Sequence, residues 1–321
     1  MQRILVIKLG ALGDFILAAS AFAAIRCARP EAEITLLTTA PFAGLARRAP
    51  WFDRVATDPR APWWNLTASL GLARRLRGYD CVYDLQTSRR STLYFRLAGR
   101  PPWSGIARGS SHRDANPERN RMHTIERQRA QLAAAGIREF PGPGFAWLAA
   151  AGKRFALEHP YALLVPGAAA HRPAKRWPPE RFAALARRLV SGGMTPVLIG
   201  GGAERGLGPA IRTLAPGAVD LIGMTDLLDL GGLAANAALA VGNDTGPMHV
   251  AAALGCPSLV LFSAASDPAL TAPRGPDGAL IRVLRAENLA DLPLARVAAA
   301  LPCPHRRERA EERALPCPPS R

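Results

Sequence analysis

The sequence predicts an α/β protein made of two halves, each built around a parallel β-sheet. Three observations carry this prediction: the chain has 321 residues, it opens with a strand–turn–helix–strand pattern, and the same alternation begins again near Tyr161. A chain of this length is long for one hydrophobic core, so two domains are expected. Strands that alternate with helices are typical of βαβ units, whose strands run parallel in one sheet.

The elements of the first half follow from its apolar segments. Strands are predicted where β-branched and aliphatic residues cluster, and an Ala-rich stretch after the first glycine-containing turn predicts a helix. A polar, arginine-rich stretch from Arg89 to Arg138 shows no clear β periodicity before a helix near its end. The predicted order is strand 3–7, helix 14–26, strand 33–38, strand 79–85 and helix 124–136.

The second half repeats the alternation. Its predicted elements are strand 161–165, helix 179–189, strand 195–199, strand 219–222, helix 227–235, strand 238–241, a helix from about Pro247 and strand 258–262. Two such Rossmann-like halves face one another across a cleft and bind ligands at the carboxyl ends of their strands. Glycines and prolines cluster at 141–158, which gives domains 1–155 and 156–301. The Pro/Arg/Glu-rich tail 302–321 is expected to be disordered.

Composition and targeting signals predict a cytoplasmic protein. The chain is 49% hydrophobic and 21% charged, which is ordinary for a globular protein. No segment approaches the roughly 18 apolar residues that span a bilayer, and Lys8, Gly10 and Gly13 interrupt the apolar start before a signal peptide could form. The cysteines are scattered without a CxxC pair, so neither a disulfide framework nor a metal site is indicated, and no cofactor is expected.

The formal net charge is +16 and the sequence pI is near 11.0. Such an excess favours anionic partners: a phosphorylated substrate, a membrane surface or nucleic acid. Lysine occurs only at positions 8, 153 and 175, so the arginine-rich coding of a GC-rich genome is an alternative explanation. Nucleic acid is the weakest of the three partners, since aromatic residues make up only 6% and no stacking platform or basic recognition helix is visible.

The loop after the first strand carries a glycine-rich pattern that ends in Asp14. Glycines let the backbone approach a ligand, and Asp14 lies at the start of a helix, where an aspartate can act as a cap. The spacing is GxxGD, not GxGxxG, and the second strand ends in Thr38 and Thr39 without an acid for a ribose. These departures count against a dinucleotide-dependent dehydrogenase.

Two loops of the second half hold candidate phosphate- and ribose-binding side chains. Lys175 follows the strand at 161–165, and an ammonium above a strand end is suited to bind phosphate. Glu204 follows the glycines of 200–202 and could accept hydrogen bonds from ribose hydroxyls. A solvated loop lysine and a plain glycine-rich strand end are the alternatives.

The stretch from Gly242 to Gly255 is the most specific signal. A strand ends, a polar loop follows, and a helix starts with Pro247 near its first position. Free N–H groups at such a helix start form a phosphate site, and His249 in the first turn points toward the same mouth. Asp244 beside a phosphate site requires another role, such as capping the loop or accepting from a sugar hydroxyl. The alternative is a capped helix with a core histidine.

Together these residues resemble glycosyltransferase family 9, the ADP-heptose:lipopolysaccharide heptosyltransferases. The resemblance extends from Ile4 to about Leu301. Its markers are LGALGD at the N-terminus, DLQTSRRS at 84–91, PGAAAHRPAKRWPPERF at 166–182 and GNDTGPMHVAAALG at 242–255.

The resemblance implies a GT-B fold, with the donor in the second half and the acceptor in the first. It implies inverting, metal-independent transfer of heptose from ADP-heptose to the Kdo/heptose inner core of lipopolysaccharide. Asp14 maps onto the proposed general base, and Glu204 onto an acid that contacts the ribose. The residues assigned to the donor site are Lys175, Glu204, Asp244, Thr245, Gly246, His249, His171 and Met224.

This sequence departs from the family pattern in two places. Ala169, Ala170 and His171 stand where members of the family have hydroxyl side chains, so donor contacts there are expected through backbone N–H groups. Ser20 replaces a proline that usually follows the GD turn, which is expected to alter the helix locally and leave the chemistry unchanged.

The acceptor implied by the resemblance is an anionic Kdo–lipid A core, which suits the arginines of the first half. A basic face would also favour peripheral association with the cytoplasmic side of the inner membrane, and a monomer is expected. Alternatives are a GT-B enzyme with another NDP-sugar or acceptor, and a non-catalytic nucleotide-sugar-binding relative. The residues assigned to the acceptor site are Gly13, Arg89, Arg90, Arg113 and His123.

Overall fold

The computed structural model describes residues 1–62, 64–150, 154–168 and 173–303, so the tail prediction for 304–321 lies outside the described residues. The helices and strands of the first half are β1 (Arg3–Ile7), α1 (Leu12–Leu17), α2 (Ala19–Ala28), β2 (Glu33–Thr38), α3 (Ala40–Arg48), β3 (Arg54–Thr57), α4 (Leu66–Leu76), β4 (Cys81–Asp84), α5 (Arg89–Leu97), β5 (Trp103–Gly105), β6 (His112–Arg113), α6 (Thr124–Ala134) and α7 (Ala146–Ala149).

The strands of the first half form one parallel sheet in the order β3-β2-β1-β4-β5-β6. Neighbouring residues of a strand point to opposite faces, so the central strand β1 contributes to two cores. Ile4 and Val6 pack in the core that includes α1 and α2, whereas Leu5 and Ile7 pack in the core that includes α4 and α5. The sheet is thus covered by helices on both faces, as its apolar strands require.

The second half continues the same alternation and also carries a parallel sheet, in the order β12-β11-β10-β7-β8-β9. Its helices and strands are β7 (Tyr161–Val165), α8 (Pro179–Ser191), β8 (Thr195–Leu198), α9 (Leu207–Leu214), β9 (Val219–Asp220), α10 (Leu227–Asn236), β10 (Leu239–Asn243), α11 (Gly246–Ala253), β11 (Ser258–Phe262), α12 (Pro268–Thr271), β12 (Ile281–Arg285) and α13 (Leu294–Ala299).

The two sheets share one topology. Counted from its own first strand, each has the order 3-2-1-4-5-6, and the direction of winding reverses between β1 and β4 in one sheet and between β7 and β10 in the other. In open α/β sheets, ligands bind outside the carboxyl ends of the strands at such switch points. The loops that follow β1, β4, β7 and β10 are therefore expected to form the ligand-binding site.

The predicted fold class, two Rossmann-like halves with parallel sheets, is confirmed with local differences. Helix 14–26 is in fact two helices, which begin at Leu12 and Ala19 and are separated at Ala18. The arginine-rich stretch after Arg89 contains α5, the short strand β5 and the edge strand β6. Strands of three and two residues are too short to show an alternating pattern.

Apolar and polar contacts connect the halves. Leu148 of α7 is fully buried against α10, where a Cβ on Gly231 would lie only 2.6 Å from the Leu148 Cγ atom. A second connection joins the start of α6 to the segment after α12, where Glu126 and Arg274 form an ion pair. Among the helices within the described ranges, none combines the length and the apolar character needed to cross a bilayer.

Candidate active site

The two halves meet at the amino-terminal ends of α1 and α11, which lie at the switch points of their sheets. Glycines make this approach possible. A Cβ on Gly13 would lie 2.7 Å from Cδ2 and 2.8 Å from Nε2 of His249, and a Cβ on Gly246 would lie 2.7 Å from the Leu12 Cβ. Any larger residue at either position would push the two helix starts apart. Gly13, which was predicted to bind the acceptor, therefore contacts His249 of the loop 242–249, which was predicted to bind the donor and is called the donor loop below.

Asp14 is the third residue of α1 and is half-buried. Its Oδ2 atom accepts a hydrogen bond of 3.3 Å from the Ala11 N–H, so the carboxylate does cap the helix start. This long bond engages only one of the two carboxylate oxygens. The charge of Asp14 also acts on His249, whose pKa is lowered chiefly by burial while Asp244 and Asp14 act in the opposite direction. Capping and a role at the junction of the halves are therefore compatible.

Two buried ionisable residues lie beneath Asp14. Lys8 donates a hydrogen bond of 3.4 Å from Nζ to the Leu85 carbonyl, and burial lowers its pKa against the opposing effect of Asp14. Burial raises the pKa of Asp84 to about 6, although its Oδ1 atom accepts from the Thr87 and Gln86 N–H groups. The prediction gave neither residue a role. The available signal was a rare lysine directly after a buried strand.

Two arginines outside the predicted set also act on this region. The Arg119 Nε atom lies 2.6 Å from Oδ2 of the buried Asp114. Burial and the charge of Arg119 lower the pKa of Arg127, while Asp14 acts in the opposite direction. Both guanidinium groups also act on Lys8, so the structure assembles a cationic environment around Asp14.

The predicted acceptor residues are dispersed. Arg89 and Arg113 are exposed on the surface of the first half. Arg90 is held by the fully buried carboxylate of Asp58, with 3.3 Å between Nε and Oδ2. His123 is buried and contacts the second half, with its Nε2 atom 3.0 Å from the Ala272 carbonyl oxygen. Because the Ile125 N–H donates to Nδ1, the neutral ring donates from Nε2.

The predicted donor residues Lys175, Asp244 and His249 converge. The Lys175 Nζ atom lies 2.6 Å from Oδ2 of Asp244, and both side chains are about nine-tenths buried. The other Asp244 oxygen lies 4.0 Å from the His249 Nε2 atom. Burial lowers the pKa of His249 to about 4, so the imidazole is neutral near neutral pH. Asp244 thus partners Lys175, which gives this acid a role beside the predicted phosphate site.

The Asn243 side chain holds the start of the loop 242–249 by hydrogen bonds to neighbouring backbone segments, a role that the sequence did not reveal. The side chain is fully buried and donates from Nδ2 to the Pro166 and Gly167 carbonyls at 2.8 Å and 3.3 Å. Its Oδ1 atom accepts from the Trp177 N–H at 3.0 Å. One amide therefore connects the ends of β10 and β7 with the segment before α8, and so sets the position of the Lys175 loop.

The remaining donor residues are arranged around this centre. The Glu204 carboxylate accepts a hydrogen bond of 2.8 Å from the Gly201 N–H and lies over Gly167, where a Cβ would approach Oε1 to 1.7 Å. Thr245 precedes α11 with an extended backbone. Met224 is 58% exposed. His171 lies outside the described residues.

The site therefore places a half-buried carboxylate on one half opposite a lysine and a helix start on the other. A carboxylate can take a proton from a hydroxyl nucleophile, and a lysine with free N–H groups can stabilise a departing phosphate. Among the described residues, no three His, Cys, Asp or Glu side chains come together in a way that could hold a metal ion.

Comparison with known sequences and structures identifies relatives of this chain. The family model described as glycosyltransferase family 9 (heptosyltransferase) matches residues 69–293. Lipooligosaccharide heptosyltransferase 2 of Haemophilus ducreyi is 28% identical over 312 residues, which cover 88% of this chain and 89% of the relative. The enzyme of the same name from Haemophilus influenzae is 36% identical over 135 residues, or 40% of this chain and 38% of that protein.

A solved structure extends the likeness to the fold. ADP-heptose lipopolysaccharide heptosyltransferase II of Escherichia coli superimposes with a TM-score of 0.75 and 25% sequence identity, covering 94% of this chain and 97% of that one. The fold is therefore of the GT-B type, as the resemblance implied. Because the family model covers well over half of its length, this chain belongs to glycosyltransferase family 9 and is a glycosyltransferase.

Proposed function

We propose that this chain transfers a heptose from ADP-heptose to the Kdo/heptose inner core of a lipopolysaccharide precursor, with inversion at the anomeric carbon and without a metal ion. The observation that carries the proposal is that the start of α1, which holds Asp14, packs against His249 of α11, and that His249 lies beside the Lys175–Asp244 pair. The named relatives are heptosyltransferases of lipooligosaccharide or lipopolysaccharide, in agreement with this choice of donor and acceptor.

In the proposed reaction, an acceptor hydroxyl oxygen attacks the anomeric carbon of the heptose while Asp14 takes the hydroxyl proton. General-base help of this kind is worth about 10²–10⁴-fold. The bond from the anomeric carbon to the diphosphate oxygen breaks, and ADP leaves with the bonding electron pair. Lys175 and the N–H groups at the start of α11 stabilise the charge that develops on the leaving diphosphate.

The neutral state of His249 fits this arrangement. A neutral imidazole adds no charge beside Asp14, and its burial against Gly13 keeps water from the junction of the halves. Glu204 would accept hydrogen bonds from the ribose of the donor, because its carboxylate lies over Gly167 at the end of β7. Lys8, Arg119 and Arg127 provide the cationic environment that an anionic acceptor requires.

The proposal further holds that the enzyme works at the cytoplasmic face of the inner membrane, where a lipid-anchored acceptor is available. The direct test is incubation with ADP-heptose and Kdo–lipid A, with or without a first heptose, followed by mass spectrometry. A product heavier by one heptose supports the proposal. Transfer only from a UDP-sugar would assign another donor, and donor binding without any product would indicate a non-catalytic relative.

A further inference from the structure

Two segments of the first half carry positive charge without any acid. Residues 59–79 and 85–113 contain the arginines at positions 60, 74, 75, 77, 89, 90, 96, 100, 108 and 113, and neither segment contains an aspartate or a glutamate. Much of the net charge of +16 therefore comes from these segments. They include α4 and α5.

The structure places α4 and α5 side by side on one face of the first sheet. Leu72 and Leu76 of α4 and Tyr94 and Phe95 of α5 are buried in the core that also holds Leu5. The ends of the helices are tied together, since the Arg77 Nε atom donates to the Leu97 carbonyl at 3.3 Å. We call the outward side of these two helices, together with Trp64, the α4–α5 face.

The α4–α5 face exposes large apolar side chains among its cations. Trp64 is 82% exposed and Leu70 is 62% exposed, while Arg74 and Arg96 are exposed on α4 and α5. Leu70 and Arg74 are four residues apart and share the outward side of α4. A helix that exposes leucine beside arginine, buries leucine on its other side and follows an exposed tryptophan is typical of elements that lie in a membrane interface.

The α4–α5 face adjoins the site. Since α4 follows β3, its first turn lies at the carboxyl edge of the sheet, the same edge that carries Asp14. A cavity of about 530 Å³ at this edge is lined by Gly10 and Ala11 of the loop before α1 and by Asp58 and Arg60 of the loop before α4. The cavity therefore lies between the loop that precedes α1, the helix that holds Asp14, and the loop that leads toward α4.

We propose that the α4–α5 face docks on an anionic phospholipid bilayer and places this cavity above the membrane, so that a lipid-borne acceptor reaches Asp14 without leaving the bilayer. Trp64 and Leu70 enter the headgroup region while Arg74 and Arg96 contact lipid phosphates. Charge complementarity selects the partner, and the exposed tryptophan and leucine favour a bilayer over nucleic acid, which offers them no apolar layer. The delivery of the acceptor rests on the proposed function, whereas the docking itself does not.

Vesicle co-sedimentation tests the docking. The full chain should bind vesicles of phosphatidylglycerol and phosphatidylcholine in equal parts, and bind phosphatidylcholine alone much more weakly. Each arginine near an anionic surface contributes about 1 kcal/mol, or about fivefold in binding. The double variant Arg74→Glu/Arg96→Glu should therefore lose at least about 25-fold in vesicle affinity. The double variant Trp64→Ala/Leu70→Ser should lose the apolar part of vesicle binding, which is the part that persists at high salt.

Matched controls lie on α9 of the other half, where Arg212 is exposed and Leu214 is 43% exposed. Arg212→Glu and Leu214→Ser should bind vesicles as the unchanged protein does. Equal losses in these controls, or vesicle binding unchanged by the α4–α5 variants, would overturn the docking proposal. Salt-sensitive RNA binding lost in the α4–α5 variants, without vesicle binding, would assign the face to nucleic acid instead.

Turnover separates this proposal from the proposed function. With a deacylated, water-soluble acceptor, the α4–α5 variants should keep the kcat/KM of the unchanged protein. With the acceptor embedded in phosphatidylglycerol vesicles, they should lose at least tenfold. If the α4–α5 variants matched the unchanged protein in kcat/KM on both acceptors, the docking proposal would be contradicted and the transferase function would be unaffected. Vesicle binding without turnover on either acceptor would support the docking surface and contradict the transferase function.

Discussion

Gly13 in the first half lies directly against the imidazole of His249 in the second half, with room for a hydrogen and none for a methyl group. A Cβ at Gly13 would approach Cδ2 of His249 to 2.7 Å, closer than carbon atoms pack. Asp14 is the next residue along the chain, and Oδ1 of Asp244 lies 4.0 Å from Nε2 of the same imidazole. The missing side chain at Gly13 therefore sets the separation between the proposed base and the proposed donor site.

Gly13→Ala should separate these two groups. The methyl group must displace His249 or move α1, and a misplacement of about 1 Å can cost about 100-fold in rate. We expect kcat/KM to fall at least tenfold in steady-state assays. Gly44→Ala in α3 is the matched control, because a Cβ there meets nothing within 4 Å. It should retain activity and gain about 0.5–1 kcal/mol of stability. Unchanged kcat/KM in Gly13→Ala would contradict this account.

A double-mutant cycle identifies the colliding group. In a His249→Ala background the ring is gone, so adding Gly13→Ala should cost little further thermal stability. The two changes are in contact and should couple by about 0.5–3 kcal/mol. Additive losses of stability would place the collision elsewhere.

The sequence predicted those features that are local in the chain. The donor loop carries its strand end, helix start, lysine partner and histidine within short segments, so its role followed from order and spacing. Contacts between distant segments were not accessible. Arg90 pairs with Asp58, 32 residues away, and no sequence pattern indicates this ion pair. Asn243 stood inside the recognised loop, but its three hydrogen bonds run to the backbone of segments at least 66 residues away.

Helix and strand ends show the same limit. The apolar run from Asp14 predicted one helix, because Leu17 and Ala19, on the two sides of Ala18, are both good helix formers. In the structure α1 ends at Leu17 and α2 begins at Ala19, and no glycine or proline marks this division in the sequence. Edge strands such as β6, of only two residues, were missed for want of length.

Asp14→Asn should abolish turnover and preserve the fold. The amide oxygen can still accept from the Ala11 N–H, but an amide cannot take a proton from the acceptor hydroxyl. We expect kcat to fall by about 10²–10⁴-fold, with the calorimetric Kd for ADP and the melting temperature unchanged. If the asparagine variant turned over normally, Asp14 would be a helix cap alone.

Lys175→Met should weaken donor binding and leave Asp244 unpaired in a nearly buried position. Removing one partner of a buried ion pair costs about 3–5 kcal/mol. The double variant Lys175→Met/Asp244→Asn removes both charges, so it should recover most of that stability in urea unfolding. It should not recover donor affinity, which depends on the ammonium. Restored ADP binding in the double variant would show that Lys175 serves only the ion pair.

Asn243→Ala should destabilise the second half by leaving three backbone groups without their partner. Each unsatisfied buried group costs about 1–3 kcal/mol, so for three groups we expect a loss of at least about 3 kcal/mol in the free energy of unfolding. Asn236→Ala is the control, since the exposed Asn236 makes one hydrogen bond, of 2.8 Å, to the Gly232 carbonyl. Equal losses of unfolding free energy in both variants would show that the three hydrogen bonds of Asn243 contribute no more than the single bond of Asn236.

His249 should also make stability depend on pH. Its pKa is about 4 in the folded protein and 6.5 as the ordinary value. As pH falls through 6.5, the unfolded chain binds a proton that the folded chain refuses, so stability declines toward pH 4 by up to about 1.4 kcal/mol per unit. Asp84 acts oppositely. Its pKa is raised from 3.8 to about 6, so the folded chain holds the extra proton and gains stability as pH falls through that interval.

Because these two effects oppose each other and His123 also has a lowered pKa, the pH dependence of the unchanged protein does not isolate either effect. The difference in unfolding free energy between it and His249→Gln isolates the histidine, since Asp84 and His123 are present in both. Measured by urea unfolding from about pH 7 to pH 4, this difference should move steadily in favour of the variant as pH falls. Asp84→Asn, measured the same way, should show the opposite slope. If the difference for His249→Gln stayed constant across this interval, the imidazole would not remain neutral in the folded protein. The proposal that an uncharged His249 lies beside Asp14 and Asp244 would then be wrong.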